Sequence, residues 1–264
     1  MPNNLRNPAD LIWAEEFNAH RNGHPNADVW NFELGDGTAN GIPGWGNQEL
    51  EYYRPENATV QEGMLHIVAE RNRNADLQAY YGTAAEWTSA RMQTLGKVAF
   101  RFGSIEFRAK FPSGDGTWPA LWLLGTDIAQ VGWPQCGEID LAEARGDLPE
   151  VLFNTVHGPG YAGDKGVGVK ESVGLNLDED FHVYRLDWLP DRITWRMDGR
   201  ETYSLTADQV PGEWVFNKPH FVIMNLAIGG NFTGPVDPAL ERAEMLVDYI
   251  RYYKLEGFGE LHIA

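Results

Sequence analysis

The clearest alternation along the chain is Ser104-Ile-Glu-Phe-Arg-Ala-Lys-Phe111, in which Ile105, Phe107, Ala109 and Phe111 fall on one face and Glu106, Arg108 and Lys110 on the other. A period of two with one apolar face predicts a strand that packs on a core from one side. Segments near Leu65 to Ala69, Ala120 to Leu124, Val151 to His157, His182 to Trp188, Arg192 to Met197, His220 to Ile228 and Glu244 to Lys254 have a similar make-up of β-branched and aromatic residues. The pairs Pro190-Asp191 and Asp198-Gly199 are turn signals, so residues 182–205 predict a meander of three antiparallel strands. Helical spacing is scarce, and one turn of helix is expected within Thr206 to Gly212. Twenty-nine Gly and fifteen Pro separate short segments, with no repeat or linker between them. The pattern predicts an all-β sandwich of two packed antiparallel sheets, with residues 1–264 as a single domain. The polar stretches 18–48, 71–86, 125–135 and 158–179 are expected to be loops at the rim of a binding site.

Composition narrows the partners. No apolar run approaches the roughly eighteen residues of a membrane-spanning helix. A formal net charge of −17 speaks against a polyanionic partner such as nucleic acid, and fits a soluble protein with a neutral ligand. Ten Trp in 264 residues are enough to line a surface as well as fill a core, so a ligand with flat apolar faces is expected. The one cysteine, Cys136, rules out an intrachain disulfide. The opening MPNNLRNPADLIWAEEF has no charged segment followed by an apolar one, so either a mature chain with an added Met or an intracellular protein is expected from it.

The run Cys136-Gly-Glu-Ile-Asp-Leu-Ala-Glu143 places three carboxylates in an otherwise apolar strand. Strict alternation would send Glu143 to the face opposite Glu138 and Asp140. A β-bulge at Leu141-Ala142 would add one residue and bring all three to one face. Surface acids are usually just solvated. Here, however, no Lys or Arg follows until Arg145, and aromatic and small residues flank the strand. Clustered acids on a rigid strand suit glycoside hydrolysis, in which a retaining enzyme holds two carboxyls about 5 to 5.5 Å apart, one to attack and one to protonate. A third acid between them would keep the two in different protonation states, because like charges this close push one pKa upward.

The run Glu138-Ile-Asp140-Leu-Ala-Glu143 resembles the E-x-D-x-x-E signature of family 16 glycoside hydrolases, in the bulged laminarinase-like branch. The similarity continues through Trp13 to Phe17, Trp45 to Leu50, Thr88 to Arg91, Phe102 to Lys110, Gly116 to Trp122, Val156 to Gly158, Asn225 to Asn231 and Val247 to Ile250. It implies a β-jelly-roll with a concave cleft for β-glucan and endo-hydrolysis of β-1,3 bonds with retention. On this resemblance Glu138 is the nucleophile, Glu143 the acid/base and Asp140 the supporting acid. Trp118, Trp122 and Trp133 would line the cleavage point, His157 would lie near the acid/base, and Asn47 and Arg91 would contact sugars on the non-reducing side. Asn231 and Phe232 would complete the cleft; many relatives have Trp where this chain has Phe232, which loses the indole N–H donor.

Several of these residues have plainer readings. Trp122 alternates with Leu121 and Leu123 and could be core, His157 could be a hydrogen-bonded strand-end histidine, Arg91 could pair with an acid, and Asn47 could form a turn. Asp248, in an otherwise buried run, needs a cation or hydrogen-bond partners. The resemblance implies a structural Ca2+ at Asp248, with backbone oxygens from near Glu16 and Gly63, and no catalytic cofactor. The sequons at Asn57 and Asn231 are read as incidental. A secreted monomer acting on a β-glucan polysaccharide or oligosaccharide, with no nucleic-acid or membrane partner, is expected. Mixed-linkage β-1,3-1,4-glucan and other β-glycans, with hydrolysis or transglycosylation, are alternative substrates and outcomes. Two rivals are a non-catalytic glucan-binding lectin on the same fold and a metal hydrolase using Glu138, Asp140, Glu143 and His157.

Overall fold

A computed structural model describes residues 7–18 and 23–264. The first residues of the chain and positions 19–22 of the first polar stretch, on which two of the expectations partly rest, lie outside the described residues. The alternating segment forms the strand Gly103–Lys110, with Ile105, Phe107 and Ala109 buried. It pairs on one side with His182–Leu189 and on the other with the long strand Arg242–Tyr253. Around this centre a ten-stranded sheet runs in the order Arg200–Thr206, Arg192–Met197, His182–Leu189, Gly103–Lys110, Arg242–Tyr253, Met64–Arg71, Trp87–Ser89, Glu51–Tyr53. Leu11–Glu15 and Ala58–Gln61 join it from the side. The meander is as expected: Asp198 and Gly199 have φ of 49° and 82°, the left-handed pair that a tight turn between twisted strands requires.

The second sheet has nine strands, in the order Val167–Ser172, Val151–His157, Glu138–Ala144, Thr117–Gly125, His220–Ile228, Arg91–Gln93, Asn31–Glu33, with Val98–Arg101 and Glu260–Ile263 beside it. The two sheets close on one core, a β-jelly-roll. Leu121, Leu123, Ile139, Leu141, Val156, Met224 and Leu226 meet Leu65, Ile67, Ile105, Phe107, Leu186, Trp188 and Met245. Alternation leaves Trp118, Ala120, Trp122 and Leu124 on the outer face of the nine-stranded sheet.

The polar stretch 18–48, expected as loop, holds the short strand Asn31–Glu33, and three further local expectations change. The stretch 158–179 contains the edge strand Val167–Ser172, whose apolar face is only Val167 and Val169 and which therefore reads as loop. The stretch 125–135 holds one helical turn, Ile128–Val131. The turn expected in 206–212 is the shorter Ala207–Gln209, closed by a capping box between Thr206 and Gln209.

The acidic strand carries the bulge. On one side Glu138, Asp140 and Glu143 stand opposite His157, Thr155 and Phe153; on the other they stand opposite Leu124, Trp122 and Ala120. Both neighbours advance two residues at each step, so the extra residue lies in the acidic strand alone. Its partners skip from Ala142 to Asp140, which makes Leu141 the inserted residue. Leu141 and Ala142 are both buried in the core. A bulge leaves ladder carbonyls without partners, and side chains in the interior supply them. Asn154 Nδ2 donates to the Leu141 carbonyl at 2.8 Å, and Trp195 Nε1, from the opposite sheet, donates to the Asp140 carbonyl at 2.9 Å. Thr202 Oγ1 donates to Asn154 Oδ1 at 2.7 Å and fixes the amide. Replacing Asn154 by Ala strands a buried carbonyl. Denaturant unfolding should show a loss of about 1–3 kcal/mol, with Thr202→Val costing about 1 kcal/mol.

Candidate active site

The outer face of the nine-stranded sheet brings the three acids together. Trp133 Nε1 donates to Glu138 Oε2 at 2.7 Å, and Trp118 Nε1 donates to Glu143 Oε1 at 2.8 Å. The sequence offers these two tryptophans as sugar-stacking surfaces; each also orients a carboxyl. Between the glutamates, Asp140 hydrogen-bonds to Glu138. His157 Nε2 lies 3.2 Å from Asp140 Oδ2 and 3.8 Å from Glu138 Oε1, so the histidine faces the Glu138–Asp140 end of the trio.

Burial dominates the electrostatics. It pushes Glu138 up to about 8, Asp140's charge adding to the effect and His157 and Trp133 opposing it. It pushes Glu143 up to about 7 against the Trp118 hydrogen bond. Asp140 is raised well above the usual carboxylate range by burial and then by Glu143. Three desolvated acids that sense one another cannot all ionise near neutrality. Burial, Asp140's charge and the Asp140 hydrogen bond all raise Glu138, so an ionised Glu138 requires that the shared proton rest on Asp140, where it removes one negative charge and supplies a donor.

The other predicted residues extend the face in two directions. Toward Glu143, the Trp118 ring packs on Phe232 with centroids 4.7 Å apart, and Phe232 packs edge-on against Phe153 at 4.9 Å. Phe153 is absent from the sequence-based set, although its alternation with Thr155 and His157 puts it on the same face. Toward Asp140, Trp122 is half-buried on the outer face, and its Nε1 donates to Asn225 Oδ1 at 2.8 Å. Arg91 is ion-paired with Glu33, and its guanidinium lies 4.4 Å from the centroid of the Trp45 ring and 4.9 Å from that of Trp122. It is therefore both paired and on the site face. Asn47 lies in a turn, its N–H donating to the Gly44 carbonyl, and its Nδ2 donates to Glu49 Oε1 at 3.0 Å. Exposed Asn231 joins this corner through its backbone N–H, which donates to the Asn47 carbonyl at 2.7 Å. Glu33, Trp45, Glu49, Tyr53 and Asn225 also escape the sequence reading, since a buried hydrogen bond between distant segments leaves no periodic trace. At the sequons, Asn57 is buried and donates to the Val68 carbonyl and to Thr88, whereas Asn231 is exposed.

Two places offer donors to a cation. Glu138, Asp140 and His157 present ligand atoms within 4.8 Å of one another; Glu143 is not part of that set. On the other sheet, Asp248 sits at an irregularity between Val247 and Tyr249. The pairings Val247 with Leu65 and Ile250 with Glu15 bring it beside the Gly63 and Glu16 segments. A Ca2+ ion takes oxygen ligands, so the expected site there would need the Asp248 carboxylate together with backbone carbonyls. Arg108 Nη1 already donates to Asp248 Oδ2 at 2.6 Å, and the Glu16 side chain is paired with Arg251.

The family model for glycosyl hydrolases family 16 matches residues 54–251. The chain belongs to this family. It is a glycoside hydrolase, and family 16 chemistry needs no catalytic cofactor. It is 38% identical to the beta-glucanase of Rhodothermus marinus, over 93% of this chain and 85% of that protein. The laminarinase catalytic domain of Thermotoga maritima superposes with a TM-score of 0.86 at 45% identity, covering 93% of this chain and 98% of that one. The endo-beta-1,3-glucanase of Pyrococcus furiosus gives 0.87 at 44% identity, covering 92% and 94%.

The raised acids have a consequence for stability. A carboxyl whose folded pKa lies above its unfolded one stabilises the fold at low pH, and that contribution is lost as pH rises through the folded value. With Glu143 pushed up to about 7 and Asp140 raised well above the usual carboxylate range, these groups should lower the melting temperature as pH rises from about 5 to 8. Glu143→Gln should flatten this part of the curve in a calorimetric pH series.

Proposed function

We propose that the chain cleaves internal β-1,3 bonds of laminarin-type β-glucans with retention, and that residues 1–264 form a single catalytic domain. The observation that carries the mechanism is the bulged strand, with Glu138, Asp140 and Glu143 on one face and a separate indole donor on each glutamate. Ionised Glu138, with Asp140 holding the shared proton, attacks the anomeric carbon and forms a covalent glycosyl-enzyme. Glu143 gives its proton to the leaving oxygen, then takes one from the water that releases the sugar. Trp118 and Trp133 hold the two carboxyls while their rings offer faces to the pyranoses. Phe232 and Phe153 extend the apolar surface on the Glu143 side, where the leaving sugar departs, and Asn47, Arg91 and Trp122 serve the other side. A polymeric substrate fits a secreted monomer.

Ca2+ at Asp248, with carbonyls near Glu16 and Gly63, is proposed as a structural ion on the other sheet and takes no part in the chemistry. Added Ca2+ should raise the melting temperature of the wild type. A rise of equal size in Asp248→Ala would remove this assignment.

Glu138→Gln should abolish turnover of laminarin while an oligosaccharide still binds; near-normal turnover would contradict the nucleophile assignment. Glu143→Gln should lower kcat by about a hundredfold or more. In Trp118→Phe the Glu143 carboxyl loses a bond that lowers its pKa, so the alkaline limb of the kcat profile should move to higher pH.

A further inference from the structure

A second pair of buried acids lies beside the site and is not used by the chemistry above. Glu49 and Glu51 are 3% and 1% exposed, and their carboxyls hydrogen-bond to each other. Glu51 Oε2 accepts the Ile228 N–H at 2.7 Å; among the described residues no N–H or O–H of another group donates to its buried Oε1. A hydrogen bond between two carboxyls requires a proton on one of them.

Donor directions around the pair decide which one. Trp122 Nε1 can only donate, so the oxygen of the Asn225 amide faces it and Nδ2 faces the Tyr53 hydroxyl, at 3.1 Å. The Tyr53 hydroxyl accepts that bond and sends its own proton to Glu49 Oε2 at 3.1 Å. Asn47 Nδ2 donates to Glu49 Oε1. Glu49 therefore receives donors at both oxygens, which suits a carboxylate, and Arg91 lies near enough to favour its charge. Glu51 accepts the Ile228 N–H and its own backbone N–H but, among the described residues, no side-chain donor, and is left to supply the shared proton.

We propose that Glu51 is a neutral acid donating to ionised Glu49, and that this pair acts as a positioning unit that turns the Asn47 amide so that its oxygen is free to accept a hydroxyl proton of the bound glucan. The same unit, through Tyr53 and Asn225, fixes the Trp122 indole. The inference deepens the β-glucan reading and rests on it for its ligand. The groups that sense the pair are Arg91, its partner Glu33, Tyr53, Tyr80, Tyr81 and Glu143. None offers a second cation that would let both acids ionise.

The side chain of Gln reproduces a neutral Glu51, with an N–H toward Glu49 and an oxygen toward Ile228. At position 49 it puts an amide group where donors already converge, so Asn47 must turn round. The test is calorimetric titration of a linear β-1,3-glucan hexasaccharide into Glu138→Gln protein carrying Glu51→Gln, Glu51→Leu or Glu49→Gln, with melting temperatures at pH 7. Glu51→Gln should match its background in both measurements. Glu51→Leu and Glu49→Gln should melt lower and bind about tenfold more weakly, the loss of about one charged hydrogen bond. Equal losses in Glu51→Gln and Glu51→Leu, or unchanged binding in Glu49→Gln, would overturn the proposal. If the background itself does not bind the hexasaccharide, the substrate reading fails, and melting still decides the proton: Glu51→Gln as unstable as Glu51→Leu would refute it.

Discussion

The site depends on two carbonyl groups that a regular strand would have paired. Leu141 interrupts the ladder, and the interior receives a backbone with unmet hydrogen bonds at the place where the chemistry is displayed. Asn154 and Trp195 answer the Leu141 and Asp140 carbonyls. Trp195 reaches across from the ten-stranded sheet, so the packing of the two layers also sets the phase of the acidic strand. Without these donors the bulge would leave buried polar groups unsatisfied, and a regular strand would turn Glu143 into the core. Sandwich packing and site geometry are in this sense one constraint.

Electrostatics follows from the same placement. A face that points outward from a sheet would ordinarily leave its acids in water, but the surrounding indoles, His157 and neighbouring strands desolvate this one. Burial is the leading cause of every raised carboxyl in the trio. Hydrogen bonds then divide the protons: one indole for each glutamate, and a carboxyl–carboxyl bond for the middle acid. Glu49 and Glu51 follow the same rule next door. In both places two acids too close to ionise together share a proton, and the donors around them determine where it rests.

Much of this was legible in the sequence because periodicity is a local signal. Val151–His157, Arg192–Met197 and His220–Ile228 have the bounds their β-branched and aromatic make-up indicates, and the fault in the acidic run was visible as a phase error of one residue. Trp122 could not be assigned this way, since a core strand and an outer-face strand show the same period. The edge strand Val167–Ser172 was hidden by a face of two apolar residues. Asp248 needed a cation or hydrogen-bond partners on physical grounds, and Arg108 supplies a charged hydrogen-bond partner, but no spacing rule links positions so far apart. The chain Trp122, Asn225, Tyr53, Glu49 was invisible for the same reason, because each link joins separate strands or turns.

The account's central claim is that the bulge places a nucleophilic and a proton-donating carboxyl on one face, so that hydrolysis proceeds by two displacements. The configuration of the first product reports this most directly. Proton NMR of the anomeric signals during early laminarin hydrolysis, before mutarotation, should show new reducing ends in the β form. Reducing ends that appear first as α would mean a single displacement by water and would contradict the roles given to Glu138 and Glu143.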